Sequence, residues 1–437
     1  MARKTHIWLV VLVAAVAVVG ARTAARSAGP PVRQSALTPA QDAARIRDQD
    51  IHFYQARVAG DPYGARDRAV LGALFLARGR STGDGSDFAR AESLAAASLH
   101  TRHRRNGAAV QVLVGALVAE HRFREAWTIM LPQVQADSAD QVSRATLGEI
   151  ALELGHYAAA DSLFSSLSLA RTAPAIAPRY ARWLEINGRS GEARELLART
   201  RSELEGGFRV PAEQLAWFDL RIGELGFRNG RYDLAESAYD RGLSIAPGDP
   251  RLLAARTRLA AAKGDWPTAI ALGEQARAGA FEPATLGLLS EASGALGDSA
   301  KAAEYARAME VSLSRQPGAY HRGWALFLLD HGLQVNRVLR KAREELTTRK
   351  DVYGYDVLAW ALHRAGQDRE AGAMADLALA RGTRDAMLWY HRGLIALGAH
   401  DTALARASLE RAVEIDPDYR PGYGPSARTV LTGLGPR

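Results

Sequence analysis

A glycine followed five residues later by an alanine recurs along most of this 437-residue chain. The pairs are Gly155 and Ala160, Gly188 and Ala193, Gly230 and Ala235, Gly264 and Ala269, Gly297 and Ala302, and Gly366 and Ala371. Histidine replaces the glycine at His121 with Ala126 and at His400 with Ala405. From one such position to the next (121, 155, 188, 230, 264, 297, 332, 366, 400) the steps are 34, 33, 42, 34, 33, 35, 34 and 34 residues. A phase held over that length marks a repeat, whose units cannot bury their apolar faces alone and must stack. The chain exceeds the roughly 250 to 300 residues that a single core serves, and an elongated array meets that limit.

Each unit reads as a helical hairpin. The glycine suits the left-handed residue that ends one helix, and the alanine lets the returning helix pack closely. Apolar residues recur at three and four spacing on both sides of the turn, as in Ile222, Leu225, Leu234, Ala238 and Leu243, which gives each helix one buried stripe. Strand-type runs of Val, Ile, Thr and Tyr are almost absent after the first twenty residues, so the composition is all-helical.

The unit Asp219 to Pro247 carries Gly223, Gly230, Tyr232, Ala235, Tyr239, Gly242, Leu243 and Pro247. The last unit carries Trp389, Gly393, Ala405, Leu409, Ala412, Val413 and Pro417, and the one before it Tyr355, Leu358, Ala359, Leu362, Gly366, Ala371 and Ala378. In this pattern the chain resembles the tetratricopeptide repeat family: a small residue seven before the turn, Ala five after it, a large residue four further on, another small one, then Pro. The units at Gly264 and Gly297 lack the aromatics, and at Gly332 Val338 replaces the alanine after one extra residue. The resemblance covers residues 62–420. It implies a right-handed α-solenoid of stacked antiparallel helix pairs, with about ten hairpins.

Outside the regular phase, Ser81 to Ser86 reads as an inserted loop after a turn at Gly79, and Thr200 to Pro211 as a loop or a lengthened second helix. Residues 39–61 are expected to form an N-terminal capping helix, with Thr38 as cap and Pro39 in its first turn, and 421–437 a C-terminal capping segment. Arg3 and Lys4 precede an apolar run from Ile7 to Gly20. Fourteen residues at ~1.5 Å rise span about 21 Å, short of the roughly 30 Å of a bilayer core. Residues 1–28 therefore read as an export signal or, if uncut, as a membrane anchor, with 29–38 as a linker and the array outside the cytoplasm. Membrane contact is expected only through residues 7–20, and only if they are retained.

The chain has no cysteine, which excludes disulfides, thiolate metal sites and a cysteine nucleophile. Its net charge of +8 is carried almost wholly by arginine. The densest basic stretch, His100 to Arg105, reads as a solvated helix end. No phosphate loop, nucleophile elbow, zinc-protease helix or dinucleotide fingerprint is present. No catalytic residue, metal ligand or cofactor is expected.

The family resemblance implies that first helices line a concave groove for a partner. The groove-facing candidates are Trp217, Leu220, Glu224, Phe227 and Arg228; Tyr353, Asp356, Trp360, His363 and Arg364; and Met387, Tyr390, Leu394 and Leu397. Trp217 and Trp360 fit groove and repeat core equally, Trp389 fits core, and Tyr320, His321 and Trp324 fall where the register slips. Repeats that clamp the carboxylate of heat-shock chaperones use first-helix Lys and Asn, which this chain does not supply. The expected function is a non-catalytic scaffold of the bacterial cell envelope, periplasmic or facing the periplasm, binding a protein or peptide. The alternative is a basic repeat binding nucleic acid or another polyanion, although nucleic acid is not the expected partner.

Overall fold

The computed structural model describes residues 38–167, 172–207, 210–279, 282–314, 322–421 and 424–435. The expected export segment, residues 29–37 of the linker, and Tyr320 and His321 lie outside them. Contacts divide the chain after Thr38, and the unit from Pro39 onward contains 22 helices and no strand among the described residues.

Helix α1 (Pro39–Gly60) precedes ten hairpins. These are α2 and α3 (Ala65–Thr82, Gly85–Thr101), α4 and α5 (Gly107–Ala119, Phe123–Ala136), α6 and α7 (Gln141–Leu154, Tyr157–Ser165), α8 and α9 (Ala177–Ile186, Ser190–Glu205), and α10 and α11 (Ala212–Arg228, Tyr232–Ile245). The second five are α12 and α13 (Pro250–Lys263, Trp266–Gly279), α14 and α15 (Pro283–Ala295, Ser299–Ser314), α16 and α17 (Arg322–Asp330, Val335–Leu346), α18 and α19 (Val352–Arg364, Asp368–Leu379), and α20 and α21 (Ala386–Gly398, Thr402–Ile415). Helix α22 (Ala427–Gly433) packs its Ala427, Val430 and Leu431 on Tyr390 and Leu409 of the last hairpin.

All nine turn positions of the repeat have positive φ, from 60° at His121 to 84° at Gly297. The alanine five residues on is fully buried in seven of the eight units that have one, Ala302 being only partly buried. The structure also explains the small residue seven before the turn. A Cβ on Gly148, Gly223 or Gly393 would collide with Phe164, Tyr239 or Leu409, the large residue four after each alanine, so each ring or branched side chain fills the hole its glycine leaves. Buried apolar clusters then follow one another along the array, from Leu71 and Phe75 in the first hairpin to Leu409 and Ala412 in the last. The array thus has a linear series of seams rather than one centre.

One detail differs from expectation, and two others take a definite form. The segment after Gly79 is not a loop: α2 runs on to Thr82 and turns at Gly83, φ 76°, with Asp84 capping the Ser86 amide at 2.9 Å. Gly79 is instead a packing position under the Phe88 ring. The long step at 200–211 is shared between a 16-residue α9 and a 17-residue α10. At Gly332 the extra residue is absorbed by Gln334 in a left-handed conformation, φ 49°, and Val338 sits buried in the alanine's place.

The array winds until its second superhelical turn rests on its first. The turn at Gly155, in the third hairpin, meets the Lys350 carbonyl between the eighth and ninth. Gly188, in the fourth, meets Gly382 between the ninth and tenth, and Gly230, in the fifth, meets Ile415 and Asp416 after the tenth. Around them Tyr157 Oη accepts from the Val352 amide at 2.8 Å, Thr383 Oγ1 donates to the Ile186 carbonyl at 2.6 Å, and Tyr232 Oη donates to Asp416 at 2.7 Å. Arg381 pairs with Asp161 at 2.7 Å and Arg349 with Glu153 at 2.7 Å. Ile186, Val352, Tyr353 and Leu388 add an apolar patch.

Gly155 and Gly366 share φ 74°, but a Cβ on Gly155 would strike the Lys350 carbonyl, whereas one on Gly366 meets nothing within 4 Å. Gly366→Ala should therefore cost about 1 kcal/mol for the left-handed backbone. Gly155→Ala should cost about 2 kcal/mol more for the clash. Urea unfolding followed by circular dichroism measures both, and equal costs would mean that the two superhelical turns do not touch in solution.

Candidate partner-binding face

First helices five units apart meet: Arg182 of α8 lies over the Tyr353 ring of α18 at 5.0 Å. The first helices therefore form the inner face, and its polar side chains are arranged in two connected groups.

In the first group Glu185 accepts from Arg182 at 3.0 Å and from Arg228, with Arg221 at 3.7 Å. Glu224 pairs with Arg221, and Arg228 and Arg258 approach it at 3.7 and 3.6 Å. Burial alone would raise both carboxyls, but these arginines outweigh it and hold Glu185 and Glu224 below the usual carboxylate range. In the second group Arg322 lies over Tyr353 at 4.1 Å and approaches Asp356 at 3.5 Å, and Asp356 accepts from His391 Nδ1 at 2.8 Å. His391 stacks on Trp360 at 4.3 Å, and Trp360 Nε1 donates to Asp330 at 2.8 Å. Beside Asp330, burial and that neighbouring carboxylate push Glu291 up to about 8.

Of the residues expected to face a groove, Trp217, Glu224, Phe227, Arg228, His363, Met387, Leu394 and Leu397 are half-buried and Arg364 is exposed. Phe227 stacks on Tyr232 at 5.6 Å, under Arg258. Leu220, Tyr353, Asp356, Trp360 and Tyr390 are buried and present no free surface. Leu220 packs between hairpins against Tyr239 and Leu252, and Tyr390 lies beneath α22. Tyr353 is closed over by the first superhelical turn, while Asp356 and Trp360 are held by His391 from the next first helix. Trp389 is half-buried against the C-terminal cluster and Trp324 is buried core.

The expected set omits Arg182, Glu185, Arg221, Arg258 and Arg322. A signal for several of them was available. Glu149, Arg182, Glu224, Arg258 and Glu291 each stand six residues before their unit's turn, so one register position alternates acid and base through five successive units. Trp360 and Leu394 hold the same position in the last two.

Residues 387–419, which span most of α20, all of α21 and the loop after it, match the tetratricopeptide repeat profile. This last hairpin is similar to a tetratricopeptide repeat. Such repeats generally mediate protein–protein interaction, and the fold is typically that of a non-catalytic scaffold. Among solved structures the chain is similar to the APC/C hetero-tetramer Cut9-Hcn1, at 12% identity over 90% of this chain and 94% of that one, with a TM-score of 0.34. It is also similar to a tetratricopeptide repeat protein from Parabacteroides merdae, at 17% identity over 59% of this chain and 95% of that one, with a TM-score of 0.34. No curated protein matches the chain.

The raised Glu291 should make the stability of the array depend on pH. Its folded state holds a proton that the unfolded chain, with an ordinary carboxyl near 4.5, has released. This contribution is full below that value and is lost as pH rises through about 8. Stability from urea titrations should fall between pH 5 and 8, and Glu291→Gln should flatten the slope; an unchanged slope would place the proton elsewhere.

Proposed function

We propose that this chain is a non-catalytic scaffold of the bacterial cell envelope that holds a protein or peptide partner on its inner helical face. The alternating register of Glu149, Arg182, Glu224 and Arg258 in four successive units carries the reading. Charges of both signs recurring once per hairpin suit a partner with its own pattern of charge. They suit a polyanion poorly, because every second unit would repel it. The inner-face arginines are engaged with carboxylates in binding geometry, and action by binding alone is consistent with that pairing. Basic residues ahead of the Ile7 to Gly20 run support export, with the array in the periplasm or anchored to face it.

Arg258 and Arg364 serve as probes, because their side chains are open enough to change without emptying a core. Affinity capture from an envelope fraction should recover one protein in stoichiometric amount. The double variant Arg258→Ala, Arg364→Ala should lose at least tenfold in affinity, about 1.4 kcal/mol, with an unchanged circular dichroism spectrum. Full binding by the variant would remove the inner face as the site, and capture only from cytosol would remove the envelope assignment.

A further inference from the structure

Inside this chain one edge of the array, made of hairpin turns, receives the opposite edge, made of the loops between hairpins. The turns of the third to fifth hairpins are covered in this way, and the loops after the eighth, ninth and tenth cover them. Two stretches of the same edges have no such cover among the described residues. On the turn edge, a Cβ at Gly297 or Gly366 meets nothing within 4 Å, and Leu296 and Leu333 beside Gly297 and Gly332 are 52% and 46% exposed. Asp298, Glu370 and Asp401 are exposed on the same turns.

On the loop edge, Tyr63 before the first hairpin is 82% exposed. Arg102, His103, Arg104 and Arg105 before the second are exposed, and no ion pair engages them among the described residues. Ser98 ties the two loops together, donating to the Ala65 carbonyl at 2.6 Å and accepting from Asn106 at 3.0 Å. The polarity matches that of the internal contact. There the loop side supplies arginine and the turn side a carboxylate, as in Arg349 with Glu153 and Arg381 with Asp161.

We propose that a second copy of this chain occupies these edges: the free turn edge of one molecule, Leu296 to His400, seats the free loop edge of the next, Tyr63 and Arg102 to Arg105. The contact repeats between molecules the way one superhelical turn rests on another within each. It is heterologous, joining two different surfaces head to tail, so it leaves an open edge at each end and propagates. Arginines against exposed acids make it sensitive to salt.

Sedimentation velocity of the full chain over a concentration series at low salt tests this. Species beyond the dimer should appear with concentration and dissolve as salt rises. The variant Arg102→Glu, Arg104→Glu, Arg105→Glu blocks one edge, and Leu296→Arg, Leu333→Arg blocks the other; all five side chains are exposed, so circular dichroism should be unchanged. Each variant alone should be monomeric. Mixed together they should form one-to-one dimers and nothing larger, since each keeps one working edge. A monomer at every concentration of the unmodified chain would overturn the proposal. So would assembly that survives either variant, which would put the contact on another surface.

Discussion

A residue without a Cβ can meet another stretch of backbone at a distance that any side chain forbids, and Gly155, Gly188 and Gly230 use that freedom against loops of the next superhelical turn. The same three residues also end their first helices in the left-handed conformation. One substitution at such a site would therefore disturb both the hairpin and the winding of the array. Because the contact recurs with a constant offset, from each hairpin to the loop after the fifth one beyond it, it fixes the pitch of the superhelix. Hydrogen bonds, two arginine–carboxylate pairs and the patch around Ile186 and Val352 reinforce it.

That pitch decides what the inner face can offer. Drawing the second turn onto the first brings Arg182 over Tyr353, whose ring Arg322 of the neighbouring first helix already covers while it approaches Asp356. Side chains that an open solenoid would present to a partner are thereby consumed inside the chain. What stays partly accessible is Glu149, Glu224 and Arg258 of the alternating register, with Phe227 and the exposed Arg364 beside them. A buried carboxylate such as Glu185 is kept charged only because three arginines surround it, so the pairs specify how the units stand to one another more than they add stability.

Local structure was legible in the sequence because each unit states its own rule. The turn residue, the alanine five on and the glycine seven before are read within one hairpin, and all nine turns fall where the period puts them. The loop after Gly79 was misread because a helix carries a packing glycine as readily as a turn glycine, and only the Phe88 ring above it tells them apart. Burial of Tyr353 was not legible at all. Gly155 and Gly366 look alike in sequence, and nothing near either indicates that one is covered by a loop 195 residues away (350 − 155) while the other is bare. The charge register at six before each turn was within reach, but groove positions taken from three units alone do not show an alternation that runs through five.

The contact between superhelical turns can be measured as a distance in solution. The chain has no cysteine, so His156→Cys with Lys350→Cys places two spin labels on exposed residues flanking Gly155 and its loop without competing sites. Double electron–electron resonance should return one short, narrow distance distribution that persists across ionic strength. A broad distribution centred at several times that separation would show that the turns stand apart, and the closed inner face would then not exist.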